Sequence, residues 1–119
     1  MARECYVLED KFKVTVNKKK YFCTVKLSHQ GMHLFNDLEK LWCLIKFKDV
    51  SGCKLEENQT KFAAFSVFTY STMQKKRTRT EFKFEVTKNH SHEENLHKLR
   101  IWKSSIVSLC RGGEVVLGE

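Results

Sequence analysis

The chain is 119 residues long, 41% hydrophobic and 12% aromatic, which is enough to bury the core of one domain and too apolar for a disordered chain. Lys and Arg number 22 against 14 Asp and Glu, a formal net charge of +8. That excess favours an anionic partner but does not by itself choose among a phospholipid surface, nucleic acid and an acidic protein face, or exclude lysines that only solvate strand faces.

Nine Phe, with many Val and Thr and no Pro, favour strands. Residues 11–16 alternate strictly, with Phe12, Val14 and Val16 on one face. Asn17-Lys18-Lys19-Lys20 breaks the pattern and predicts a polar turn. A second strand over roughly 21–28 places Tyr21, Cys23, Val25 and Leu27 on one side. His29-Gln30-Gly31 offers another turn and Met32–Phe35 a third short strand, a meander that favours antiparallel pairing. Leu41–Ile45 is continuously apolar, and residues 46–50 resume alternation before Ser51-Gly52. Residues 56–61 read as a charged loop. Phe62–Tyr70 is the most apolar segment, with both faces largely non-polar, and is expected to be a central strand. A basic loop follows, Gln74-Lys75-Lys76-Arg77-Thr78-Arg79, and then Phe82, Phe84 and Val86 alternate with Lys83 and Glu85.

From residue 92 the period lengthens to that of a helix. Leu96, Leu99, Trp102, Ile106 and Leu109 form one stripe. Ser91 and Glu94 have the spacing of a capping box, and Gly112 suits the left-handed position that ends a helix. The expected fold is α+β and mostly β: a bent antiparallel sheet or barrel of about seven strands capped by one C-terminal amphipathic helix. One domain is expected over residues 1–113, with residues 114–119 as a loose tail.

Cysteines 5, 23, 43, 53 and 110 are odd in number and form no C-x-x-C pair; Cys23, Cys43 and Cys110 sit in apolar runs, as buried free thiols do. Met1-Ala2-Arg3-Glu4 leads into no apolar segment, and no stretch is long enough to span a bilayer. A reducing, cytoplasmic setting is expected, with peripheral contact at membranes. The sequons at Asn58 and Asn89 are then chance matches.

Strands followed by one helix with a central Trp resemble the plan of a pleckstrin-homology (PH) domain, whose bent sheet is plugged at one end by the helix. Three stretches, in order, resemble the N-terminal PH-like region of sphingosine kinases. Phe47-Lys48-Asp49-Val50-Ser51-Gly52-Cys53 is similar to that family's D-[IV]-x-G-[CA] strand. Phe65-Ser66-Val67-Phe68-Thr69-Tyr70 is similar to its F-x-V-Y-x-Y strand, followed in both by a basic loop. His92-Glu93-Glu94-Asn95 and Trp102, ending near Leu109–Arg111, resemble its E-E-N…W helix. The match covers roughly residues 42–113. The family's lipid-kinase domain, with a nucleotide loop resembling N-P-x-G-G-x-G and a later S-G-D-G, follows this region, and this sequence has neither motif. Its catalytic residues are therefore not carried over. What the resemblance implies is a non-catalytic regulatory or membrane-targeting module whose parent enzyme phosphorylates sphingosine with ATP, and which contacts a membrane or its own kinase domain.

Two basic clusters are the candidate binding residues for an anionic lipid or partner: Lys18, Lys19 and Lys20, and Lys75, Lys76, Arg77 and Arg79. Phosphoinositide-binding PH domains carry a K-x(n)-[KR]-x-R pattern in the first hairpin. Lys13 and the lysine run could begin it here but no arginine closes it, so loose attraction to an anionic surface fits better than headgroup recognition. His90, His92 and His97 match no common zinc spacing, and neither metal nor another cofactor is expected. No Cys or Ser signature for nucleophilic catalysis occurs. Nucleic acid is the rival for the basic clusters, with Phe62, Phe68 and Tyr70 able in principle to stack bases, but no RNP-like pattern is present. The alternative is a stand-alone protein-interaction module that offers a sheet edge or the basic loop to an acidic partner.

Overall fold

Strict alternation builds the first hairpin. In this computed structural model, which describes residues 6–56, 64–73, 76–87 and 91–112 (of 56, 71–73, 76, 77, 111 and 112 the backbone only), β1 is Leu8–Val16 and β2 is Lys19–Leu27. Phe12, Val14 and Val16 face the core from β1, and Cys23, Val25 and Leu27 from β2, each no more than 8% exposed. The turn between them is Asn17 and Lys18 alone, both left-handed at φ 52° and 67°, while Lys19 and Lys20 already pair with Val16 and Thr15. Positive φ at both central residues matches the right-handed strand twist, so the hairpin is tighter than the four-residue turn expected.

Strand β3, Gly31–Phe35, follows a compact turn, and β4, Leu41–Lys46, pairs with it. Gly31 is required by close approach: a Cβ there would lie 2.0 Å from the Ile45 carbonyl oxygen. The alternation expected through 46–50 is interrupted, because Phe47–Asp49 is a turn of 3-10 helix that drops Phe47 into the core at 4% exposure. Ser51-Gly52 lies inside β5, Val50–Glu56, at a bulge where the Ser51 hydroxyl donates to the Phe68 carbonyl at 3.2 Å.

Strands β6, Ala64–Met73, and β7, Lys76–Val86, form a long hairpin. The order is β4-β3-β2-β1-β7-β6-β5 in one open antiparallel sheet. The strand expected at the centre, β6, lies instead next to the edge strand β5, and β1 is central; residues 64–67 of β6 are nonetheless buried on both faces. The sheet and the helix after it give the mostly β fold of seven antiparallel strands and one C-terminal helix that the sequence leads one to expect.

Helix α1, His92–Gly112, starts where expected: the Glu94 amide donates to the Ser91 hydroxyl at 3.2 Å. Leu99, Trp102, Ile106 and Cys110 are its buried stripe, with Leu96 and Leu109 half-buried beside them. The helix runs through Gly112, so the glycine expected to end it in a left-handed conformation is helical instead. Trp102 meets Phe12 edge-on at 5.1 Å and lies over Phe65 at 6.4 Å, while Phe65 stacks on Phe84 at 4.8 Å. These four rings join β1, β6, β7 and α1, and an ion pair between Lys98 and Asp10 at 2.7 Å ties the helix to β1 from outside. The expected tail, residues 114–119, lies outside the described residues; of the charged loop expected at 56–61, Glu56 instead ends β5 and 57–61 lie outside them.

Candidate functional site

The inner face of the sheet is occupied by its own core, so the positions available to a partner are the outer face, the turns and the two edges. The register brings both basic clusters to one end. The β1–β2 turn closes at Val16 and Lys19, and Thr15 lies opposite Lys83, which places the start of β7 beyond the end of β1. The turn after β3 leaves on the same side, because Phe35 lies opposite Thr24 of β2. At about 3.3 Å per residue, Lys76 stands roughly 20 Å past the level of Thr15, so the β6–β7 hairpin is an arm that projects beyond the shorter β1–β2 hairpin.

Lys18, Lys19 and Lys20 are exposed. The second cluster differs from the loop expected. Lys75 lies outside the described residues, and Lys76, Arg77 and Arg79 are strand residues of β7, paired with Met73, Thr72 and Tyr70. They belong to a paired strand and not to a loop. Nor is Arg79 free of contacts: its guanidinium lies over the Phe68 ring at 4.1 Å. That stacking also occupies one of the aromatics considered for base stacking; Phe62 lies outside the described residues and Tyr70 is half-buried.

The outer face of β1 and β2 carries residues that the basic clusters alone do not reveal. Lys13 lies opposite Phe22, Lys11 opposite Thr24, and Thr15 between Lys20 and Lys83. Phe22 is 69% exposed. Among the described residues, the buried Thr15 hydroxyl has no hydrogen-bond partner. Beside Phe22 a groove of about 330 Å³ runs between β2 and the Asn36–Glu39 turn. That turn is rigid: the Asn36 side-chain oxygen accepts from the amides of Leu38 and Lys40, both at 3.0 Å, and Glu39 is left-handed at φ 59°. Leu38 at its tip is 72% exposed. The signal that finds Phe22 is the run Lys20-Tyr21-Phe22-Cys23: in an alternating strand two neighbouring aromatics cannot share a face, and Tyr21 goes to the opposite face, where its ring lies 4.6 Å from that of Trp42, tilted by 36°.

Further along the outer face, Lys26 is paired with Glu9 at 3.5 Å and lies over the rings of Tyr6 and Phe35 at 5.3 and 5.1 Å. His33 beneath them is 4% exposed and its Nε2 shares a 2.8 Å hydrogen bond with the Ser28 hydroxyl. This is a closed, self-satisfied cluster. The edge strand β4 exposes Leu41 and Trp42, at 53% and 39%.

Burial holds the described thiols protonated. It pushes Cys23 up to about 11, with Cys43 adding to the shift, and Cys110 up to about 11. Cys53 rises to about 12, burial outweighing the opposing charge of Lys103. Cys43 is raised by burial as well. A thiol so placed is a poor nucleophile at neutral pH. His92 and His97 are on α1, His90 lies outside the described residues, and among the described residues no group of three or more His, Cys, Asp or Glu is placed to hold a metal. No described helix is long and apolar enough to cross a membrane. No family model and no curated protein matches the sequence, so its likeness to sphingosine kinases rests on the three stretches of residues alone.

Proposed function

We propose that this chain is a non-catalytic PH-like module of a sphingosine-kinase-type lipid kinase, and that it brings or holds its parent enzyme at an anionic membrane surface. The observation that carries this reading is the register that sends the β1–β2 and β6–β7 hairpins, with Lys18, Lys19 and Lys20 on one and Lys76, Arg77 and Arg79 on the other, out of one end of the sheet. Each basic residue near an anionic leaflet contributes about 1 kcal/mol, so the two groups together attract a surface that neither holds firmly alone. The three resembling stretches supply the parent reaction, ATP-dependent phosphorylation of sphingosine. The chain itself is expected neither to bind ATP nor to phosphorylate sphingosine, and turnover by the purified, folded chain would overturn that part.

The test is co-sedimentation with phosphatidylserine-containing vesicles. Replacing Lys75, Lys76, Arg77 and Arg79 by Gln, or Lys18, Lys19 and Lys20 by Gln, should each cut binding, and the combination should abolish it. Binding that survives all seven changes would remove the hairpins from the account. The second reading, a stand-alone protein-interaction module working through a sheet edge, is favoured by the exposure of Leu41 and Trp42 on β4. It predicts indifference to lipid charge.

A further inference from the structure

Phe22 and Leu38 are exposed apolar side chains on separate elements: Phe22 lines the groove between β2 and the Asn36–Glu39 turn, and Leu38 is the exposed tip of that turn. Neither helps the core: Phe22 points away from the face on which Tyr21, Cys23 and Val25 are packed, and Leu38 sits at the tip of a turn whose geometry Asn36 already fixes. Lysines surround Phe22. Lys13 is its cross-strand neighbour, Lys20 stands two positions before it and Lys11 one pair beyond, and Lys18 and Lys19 close the hairpin above. Glu85 opposite Lys13, and Asp37 and Glu39 beside Leu38, subtract from this field without reversing it.

We infer that the outer face of the β1–β2 hairpin is the surface that enters the bilayer interface, with Phe22 and Leu38 as apolar anchors inserted among anionic headgroups. This deepens the reading above and rests on it. The pairing of residue types selects this occupant. Lysine stems reach up to phosphates while their ammonium groups stay wet, and a Phe and a Leu between them reach the acyl boundary. A flat patch of this kind has an aromatic suited to base stacking, but an aliphatic tip such as Leu38 adds nothing to that. The two contributions also differ in their response to salt. Attraction by lysines is screened as ionic strength rises, whereas burial of an apolar side chain is not. The intact domain should therefore keep a salt-resistant fraction of its binding.

The experiment uses the full chain and vesicles of phosphatidylcholine with or without phosphatidylserine, over a salt series. The double variant Phe22→Ser/Leu38→Ser should melt at the parent's temperature, bind anionic vesicles about tenfold or more weakly, and lose the salt-resistant fraction. Leu38→Trp, which leaves the fold untouched and adds an interface-seeking ring, should strengthen binding several-fold and guards against a double variant that fails to fold. A double variant that binds like the parent, or a Leu38→Trp variant that gains nothing, overturns the inference while leaving the lysine-based attraction intact. Indifference of the parent chain to anionic vesicles at every salt overturns both. Loss of single-stranded RNA binding on Phe22→Ser, with vesicle binding unchanged, assigns the face to nucleic acid and overturns it. A double variant that turns a dimeric parent into a monomer assigns it to a second copy of the chain, with the same consequence.

Discussion

The two faces of the β1–β2 hairpin are made from the same strands and follow opposite rules. Inward, Phe12, Val14, Cys23, Val25 and Leu27 are at most 5% exposed, and Phe12 meets Trp102 of the helix edge-on. Outward, Lys11, Lys13 and Lys20 alternate with Thr15, Thr24 and a 69% exposed Phe22. The inner face is determined by packing, where a change of one side chain is felt by its neighbours on every side. The outer face has no such constraint, so its lysines and its phenylalanine are free to answer to a partner. Substitutions on the two faces should separate stability from binding.

The largest effect is expected at the centre of the inner face. Trp102→Ala removes a ring that is 2% exposed and touches both Phe12 and Phe65, and should cost about 3–5 kcal/mol in denaturant unfolding. A melting temperature unchanged within a couple of degrees would mean that the helix does not seal the sheet. Gly31→Ala comes next. Its new Cβ meets backbone, the Ile45 carbonyl, which cannot swing aside as a side chain can, so β3 and β4 must part locally at a cost of about 2–3 kcal/mol.

The thiols give the inner face a pH signature. In the folded chain Cys23, Cys53 and Cys110 hold their protons to about 11, 12 and 11, against an ordinary value of 9.0. Above pH 9 the unfolded chain releases protons that the folded chain keeps. This contribution is therefore fully present below pH 9 and is lost as pH rises toward 11–12. Unfolding curves should show stability falling through that window, less steeply in Cys53→Ala, and an equal slope in that variant would show that the thiol is not sealed from water. On the outer face the effects should be small. Thr15→Val deletes a buried hydroxyl that has no partner among the described residues while keeping the branched shape, and should raise stability by about 0.5–1 kcal/mol. A loss of stability would mean that the hydroxyl has a partner after all, in solvent or in a neighbouring lysine.

The inner face was also the readable one. A period of two at Phe12, Val14 and Val16, and of three to four at Leu96, Leu99 and Trp102, is written by burial itself, and Ser91 with Glu94 marks where one gives way to the other. What burial does not write was harder to read. The arm of β7 pairs Thr80 with Thr69 and Thr78 with Ser71, so Thr and Ser hold the strand where apolar alternation has stopped and the sequence alone reads as a basic loop. Phe47-Lys48-Asp49-Val50 alternates in sequence yet turns in space, because one buried Phe satisfies a 3-10 turn as well as a strand. The hairpin turn places Lys18 where Gly usually supplies a left-handed residue, which hides a two-residue turn inside a lysine run. The basic residues themselves were visible from composition. Their common end was not, since it depends on the pairing of Thr15 with Lys83, residues far apart in the chain.

The central claim is that the basic end and outer face of this domain meet an anionic bilayer, and it is tested most directly by partition of the intact chain between phosphatidylcholine vesicles with and without phosphatidylserine as salt is raised. The account predicts preference for the anionic vesicles, weakening as the Debye length falls from about 10 Å at 0.1 M to about 3 Å at 1 M, with a residual fraction that persists. Equal partition to both vesicle types at every salt concentration, or none to either, would contradict it.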